Sequence, residues 1–327
     1  MKRENGIIIL DSLIPNWQKA LRNKQVIPND LCGPYYNGYW INNVENKNYF
    51  LKICKKSGLN DQLFIQIFME ELAKTVSIAT INSEIARVNS KSNVYGIISD
   101  NYKINGYKII SGKEIIWSYL ESLEANGALK EVLEINSLDE LYNTDFSEQF
   151  SLNSLSFIWE ALEYYYRNNP NKHLFIYKIV EELARRFIYS FITMQYDFHL
   201  GNWELLDNES HAFLVPMYDM ELGFQKRFFD ISRNNSMRAY ESSIQSIYDS
   251  FKQFYFSSSS SFQLEVTRQL YILTPETLLN ILINLEKKYQ VDKETKIYEN
   301  INTLYKEHYD ELIHITQMHK KEEGKHL

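Results

Sequence analysis

Asp197, Asn202 and Asp219 stand close together in residues 196–221, which read YDFHLGNWELLDNESHAFLVPMYDME. Asp197 and Asn202 are five positions apart in a short polar turn that follows the apolar run 187–194. Asp219 follows a β-rich run, Ala212-Phe213-Leu214-Val215-Pro216-Met217-Tyr218. An acid, an amide five residues on and a second acid at the end of a strand form a donor set suited to phosphoryl transfer. That reaction asks little covalent chemistry of a protein. It needs phosphates held, cationic charge at the β and γ oxygens, and an acceptor hydroxyl aligned with the bond that breaks. Asp197 would accept the hydrogen bond of the hydroxyl and take its proton late in the transfer. Asn202 offers a neutral oxygen and Asp219 an anionic one, and Mg²⁺ takes hard oxygen ligands of both kinds, with phosphate and water completing its shell. His199, two residues beyond Asp197, would brace the turn by packing and hydrogen bonding. Taken singly, these residues have plainer readings: Asp and Asn often make Asx turns, and Asp219 could cap the segment that follows it.

The order of elements around the stretch gives the set its meaning. Gly33 and Gly38 bracket a polar, aromatic turn, and the runs 39–41 and 49–53 around an Asn-rich turn predict a hairpin whose second strand carries Lys52. A glycine turn, a hairpin and a strand lysine follow the order of a nucleotide roof, with Lys52 on the α and β phosphates. A helix is predicted over 62–76, apolar along one face. Further strands are expected at 7–10, 94–99 and 107–110, the last two separated by an Asn105-Gly106 turn, and 78–89 reads as extended. A short helix is expected over 12–23 with Pro15 in its first turn. Beyond residue 113 the pattern is helical: 114–124, 137–142, 154–167, 174–196, 275–288 behind a Thr274 cap, and 295–318. Residues 223–261 are polar with scattered aromatics and end in Ser257–Ser261, a linker-like tract that is also a candidate for autophosphorylation.

This pattern predicts an α+β protein with a two-lobed, protein-kinase-like fold. Residues 1–112 form a small N-terminal lobe of antiparallel sheet with one helix. Residues 113–327 form a larger helical lobe holding a catalytic loop at 196–203 and a metal-binding segment at 216–224. The bulk composition agrees: 327 residues, 44% hydrophobic, suffice for two buried cores. A net charge of −7 argues against a nucleic-acid-binding face. No run approaches the length of a membrane span or a secretory signal, so a cytoplasmic protein is expected, or one translocated without a cleavable signal peptide. Two cysteines, Cys32 and Cys54, fit a reducing compartment as small buried thiols.

The segments YDFHLGNW and PMYDMELGF resemble the HipA-like Ser/Thr protein kinases, whose loop commonly runs Asp-Arg-His-x-x-Asn-Trp and whose metal aspartate follows Pro-x-Tyr/Phe-Asp. The likeness covers about residues 33–224 and is similar to the compact, cell-translocating members, because no room precedes residue 33 for a further N-terminal subdomain. It implies an ATP- and Mg²⁺-dependent kinase with a protein Ser/Thr acceptor, of the kind that acts as a bacterial effector or toxin. It implies Asp197 as catalytic aspartate, Asn202 and Asp219 on the metal, and Lys52 on ATP. Two positions depart from the pattern. Phe198 replaces the arginine before the loop histidine, and Gln66 stands where the glutamate partner of the lysine is usual. Glu70, one helical turn on and on the same face, could take that place. These departures leave a pseudokinase or nucleotide-binding scaffold as the alternative. A small-molecule phosphotransferase fits less well. Its loop has histidine two residues before the aspartate, where this chain has Gln195.

Overall fold

In a computed structural model, the structure describes residues 2–29, 36–44, 47–55, 61–139, 155–195, 202–218, 220, 248, 251–252, 255–290 and 295–323. It has two compact units. The first comprises Met1–Tyr102, Pro216–Gly223 and Leu273–Asn302, and the second Lys103–Val215, Phe224–Ile272 and Thr303–Leu327. Beside the division expected at residue 112, the units change over at Tyr102, and two later segments return to the first.

The first unit is built on a seven-stranded sheet in the order β1-β2-β6-β7-β5-β4-β3. Its strands are β1 (Arg3–Glu4), β2 (Ile7–Ile9), β3 (Val26–Asn29), β4 (Tyr36–Val44), β5 (Lys47–Cys54), β6 (Glu84–Arg87) and β7 (Tyr95–Asp100). The predicted hairpin is β4–β5, with Trp40 opposite Phe50 and a register shift between Ile41 and Val44. All pairings are antiparallel except β2–β6, which is parallel. The helix expected over 12–23 is broken in two, α1 (Leu10–Leu13) and α2 (Trp17–Arg22). Pro15 lies between them, and the Asn16 side chain caps α2 by accepting from the Lys19 amide at 2.9 Å. Asn at an N-cap satisfies a helix donor, so the second piece starts afresh there.

The helix α3 (Asp61–Thr75) follows β5 as expected, but it is not one-faced. Residues 63–70, 72 and 73 are all buried. The helix packs against β6 and against a later helix of the same unit, Pro275–Tyr289, so two sides are covered instead of one.

In the second unit a three-stranded sheet, β10-β9-β8, joins β8 (Lys108–Ser111), β9 (Glu204–Asp207) and β10 (Ala212–Leu214). The strand expected at 107–110 does not join the first sheet, against the expectation of one antiparallel N-terminal sheet. It pairs instead with β9, because both edges of β7 are already taken by β5 and β6. The Asn105-Gly106 turn is present, with Gly106 at φ 84°, but it joins no paired strands. The core of this unit gathers α4 (Gly112–Ala125), α5 (Leu129–Leu133), α6 (Leu155–Tyr165) and α7 (Lys172–Ile192) around Trp203 and Leu205. Next along the chain come α8 (Ser260–Ile272), in this unit, and α9 (Pro275–Tyr289), in the first. Thr274 caps α9 through its hydroxyl, which accepts from the Thr277 amide at 3.2 Å. The predicted last helix is α10 (Thr295–Asn300) and α11 (Lys306–Glu323), joined by one π-helical turn, Ile301–Tyr305. The serine tract is partly helical: Ser260 opens α8, and the Ser259 hydroxyl accepts from the Phe262 amide at 3.4 Å.

Candidate functional site

Lys52 lies near the C-terminal end of β5, in register with Gly38 on β4 and Ile97 on β7. The pleat turns it to the face opposite Leu51 and Tyr49. Its side chain is 9% exposed, and its ammonium lies 5.8 Å from the centroid of the Tyr36 ring. Gly38 is buried beside it on the neighbouring strand. Gly33 lies outside the described residues.

Gln66 and Glu70 share one face of α3, and both are 1% exposed. They meet each other and Ser83. Glu70 Oε1 accepts from the Ser83 hydroxyl at 2.6 Å and from the Gln66 amide at 3.0 Å. Glu70 Oε2 accepts from the Ser83 backbone N–H at 2.6 Å. The carboxyl of Glu70 thus turns to Ser83 and Gln66 and makes no ion pair with Lys52. Burial pushes the Glu70 carboxyl above the usual carboxylate range, against the lowering effect of those hydrogen bonds. The Oε1 atom of Gln66 is buried without a hydrogen-bond partner. Nothing in the sequence around Ser83 marked it as the partner of Glu70. The contact joins residues 13 apart, through the turn that leads into β6.

In the second unit the structure fixes both flanks of the proposed loop. At the end of α7, the amides of Thr193, Met194 and Gln195 donate to the carbonyls of Tyr189, Phe191 and Ser190 at 2.9, 3.2 and 2.7 Å. Met194 is fully buried and left-handed, φ 58°, which turns the chain sharply out of the helix. Asp197 and His199 lie outside the described residues. The chain is described again at Asn202, 8% exposed, and Trp203, 1% exposed. The Trp203 carbonyl accepts from the Gly112 amide at 2.9 Å, and its indole lies where a Cβ on Gly112 would stand, 2.2 Å from Cε2. Trp203 therefore anchors the far end of the loop between α4 and β9. The sequence marked Gly112 only as a boundary; its role as the seat of an indole needed the fold.

Asp219 also lies outside the described residues, but its neighbours are fixed in the first unit. Met217 bridges to Thr80 in parallel, and its amide donates to the Ala79 carbonyl at 2.8 Å. Tyr218 stacks on Tyr102 at 6.0 Å between centroids, and Met220 is fully buried. The expected β-run 212–218 ends as a strand at Leu214, two residues before Pro216. Among the described residues no three His, Cys, Asp or Glu side chains gather as a metal site. A cavity of about 290 Å³ in the first unit is lined by Arg3, Lys47, Glu71, Glu84, Asp100 and Lys288 among others, and by none of the candidate residues. Two of its cations are already paired, Arg3 with Glu84 and Lys74 with Glu71, both at 2.7 Å. Among the described residues no helix is long and apolar enough to cross a membrane.

These elements define a kinase-like class of fold, and comparison with solved structures bears this out. The chain matches the Helicobacter pylori proinflammatory kinase CtkA with a TM-score of 0.55 and 12% identity, over 91% of this chain and 96% of that one. The chain therefore has the two-lobed, kinase-like fold seen in CtkA. HipA of Shewanella oneidensis MR-1, from a toxin–antitoxin complex with HipB and its operator DNA, aligns with a TM-score of 0.47 and 11% identity over 90% of this chain and 62% of that one. No protein-family model matches the chain, and no curated protein matches it.

Proposed function

We propose that the chain is an ATP-dependent Ser/Thr protein kinase of HipA-like type. The observation that carries this reading is the fold of the kinase CtkA, spanning 91% of the chain. Asp197 orients the acceptor hydroxyl and takes its proton. Lys52, on a buried strand of the first sheet, holds the α and β phosphates. Asn202 and Asp219 fit Mg²⁺ by their chemistry, one neutral and one anionic hard oxygen, and the ion supplies charge at the transferring phosphoryl group. The burial of Asn202 at a loop end tied down by Trp203 supports its use as a fixed donor. Incubation with γ-labelled ATP and Mg²⁺ tests the reading. The wild type is expected to label itself or a Ser/Thr peptide, and Asp219→Ala is expected to abolish the label while keeping its melting temperature. Undiminished labelling by Asp219→Ala would sink the metal assignment.

One observation favours a second reading, a nucleotide-binding scaffold with slow or no transfer. Glu70, the carboxylate that could stand in at the Gln66 position, is engaged with Ser83 and Gln66. A thermal shift on adding ATP and Mg²⁺, with no label transferred over hours, would favour it.

A further inference from the structure

We propose that His308 is a positioning residue that clamps the last turn of α7 and thereby sets the entry of the segment bearing Asp197; the proposal rests on the kinase reading of that aspartate. His308 lies in the first turn of α11, 1% exposed. Its Nε2 lies 3.0 Å from the Phe191 carbonyl, which can only accept, so Nε2 carries the proton. Nδ1 is then the acceptor, and it takes the Tyr248 hydroxyl at 3.0 Å. This fixes one neutral tautomer, held from both sides. The same turn is gripped by rings: Phe191 stacks on Phe251 at 4.7 Å and meets the edge of His308 at 5.4 Å.

The placement matters because of what Phe191 precedes. Its carbonyl belongs to the C-terminal turn of α7, where helix carbonyls lack intrahelical donors and carry partial negative charge. It accepts from the Met194 amide at 3.2 Å as well as from His308. Met194 is the left-handed residue at which the chain leaves the helix, three residues before Asp197. A donor from a distant helix, 117 residues away in sequence, thus holds the turn from which the loop departs. An apolar side chain in this place would remove the His308 donor from the Phe191 carbonyl and the acceptor from the Tyr248 hydroxyl at once, leaving the Met194 amide alone on that carbonyl. Burial holds the His308 imidazole down to about 4, so it keeps this neutral form throughout the physiological range.

The test compares the wild type with His308→Leu, His308→Gln and Tyr248→Phe in the full chain, by steady-state phosphotransfer and by amide hydrogen exchange. Leucine removes both hydrogen bonds, and glutamine retains a donor near Nε2. For His308→Leu the expected result is a loss in kcat of about tenfold or more with KM for ATP within about twofold, because positioning acts on the transition state. Faster exchange should be confined to the amides of residues 193–195. His308→Gln should recover kcat to within about threefold of the wild type. An unchanged kcat in His308→Leu, glutamine no better than leucine, or exchange raised evenly across the second unit would overturn the proposal. Should His308→Leu fail to fold, Tyr248→Phe carries the test: it should lower kcat by about threefold and speed exchange at 193–195, and no change in either would overturn the proposal. Absence of transfer in the wild type would contradict the kinase reading alone, since the exchange measurement still decides the clamp.

Discussion

Burial displaces Glu70 and His308 toward their neutral forms, one upward and one downward. The consequences for stability have opposite signs. Unfolded, His308 would gain a proton below 6.5, whereas the folded chain refuses it until about 4. Stability is thus unaffected by this group above pH 6.5 and falls as the pH drops from 6.5 to about 4. At about 1.4 kcal/mol per pH unit the loss approaches roughly 3 kcal/mol. Urea unfolding at a series of pH values should show that slope in the wild type and lose it in His308→Gln. Glu70 retains its proton when folded above the pH at which the unfolded chain releases it, so its contribution declines as the pH rises through 4.5. Glu70→Ala leaves the buried Ser83 backbone amide without its carboxylate acceptor and removes the shorter of the two bonds of the Gln66 amide. It should cost about 1–3 kcal/mol in the same unfolding measurement. A variant as stable as the wild type would show that the Ser83 contact contributes little.

Two glycines test how far the strands and helices depend on close approach. A methyl group at Gly112 would stand 2.2 Å from the Trp203 indole, which is walled in by the core of the second unit. Gly112→Ala should destabilise by about 1–3 kcal/mol through overpacking, read as a lower midpoint in urea. At Gly96 on β7 the added Cβ would meet the Lys52 carbonyl at 2.2 Å. Gly96→Ala should push β5 away and weaken nucleotide binding, measured by titration with ATP; unchanged affinity would separate Lys52 from the nucleotide. The local signals in the sequence were of uneven value. Alternation around an Asn-rich turn located β4–β5, and the cap at Thr274 located α9. Asn5-Gly6, both left-handed between β1 and β2, is a two-residue hairpin turn of the favoured kind, yet only the strand after it was expected, since the two residues of β1 make no run. Asn105-Gly106 carried the same signal and joined nothing, since turn chemistry sets local conformation while pairing depends on a free edge. The burial of α3 on two sides was hidden for a related reason: α9, which covers it, lies about 200 residues further along the chain.

At 12% identity with CtkA, the chain shares that fold with few identical residues. The order of elements was legible while their partners were not. The candidate residues divide in the same way. Lys52 was proposed from its place on a strand, Gln66 and Glu70 from the family resemblance of their helix, and Asn202 from its spacing from Asp197. Ser83, Trp203, Tyr248 and His308 act through contacts that only the folded chain creates. The account rests most heavily on Asp197, at the centre of the segment whose flanks are held by the end of α7 and by Trp203. Transfer of labelled phosphate from ATP by wild type and Asp197→Ala, at equal concentration and with matched melting temperatures, tests it most directly. The account expects the substitution to lower the rate by about a thousandfold or more, since the group that orients the hydroxyl is lost. Equal labelling by the two proteins would contradict it.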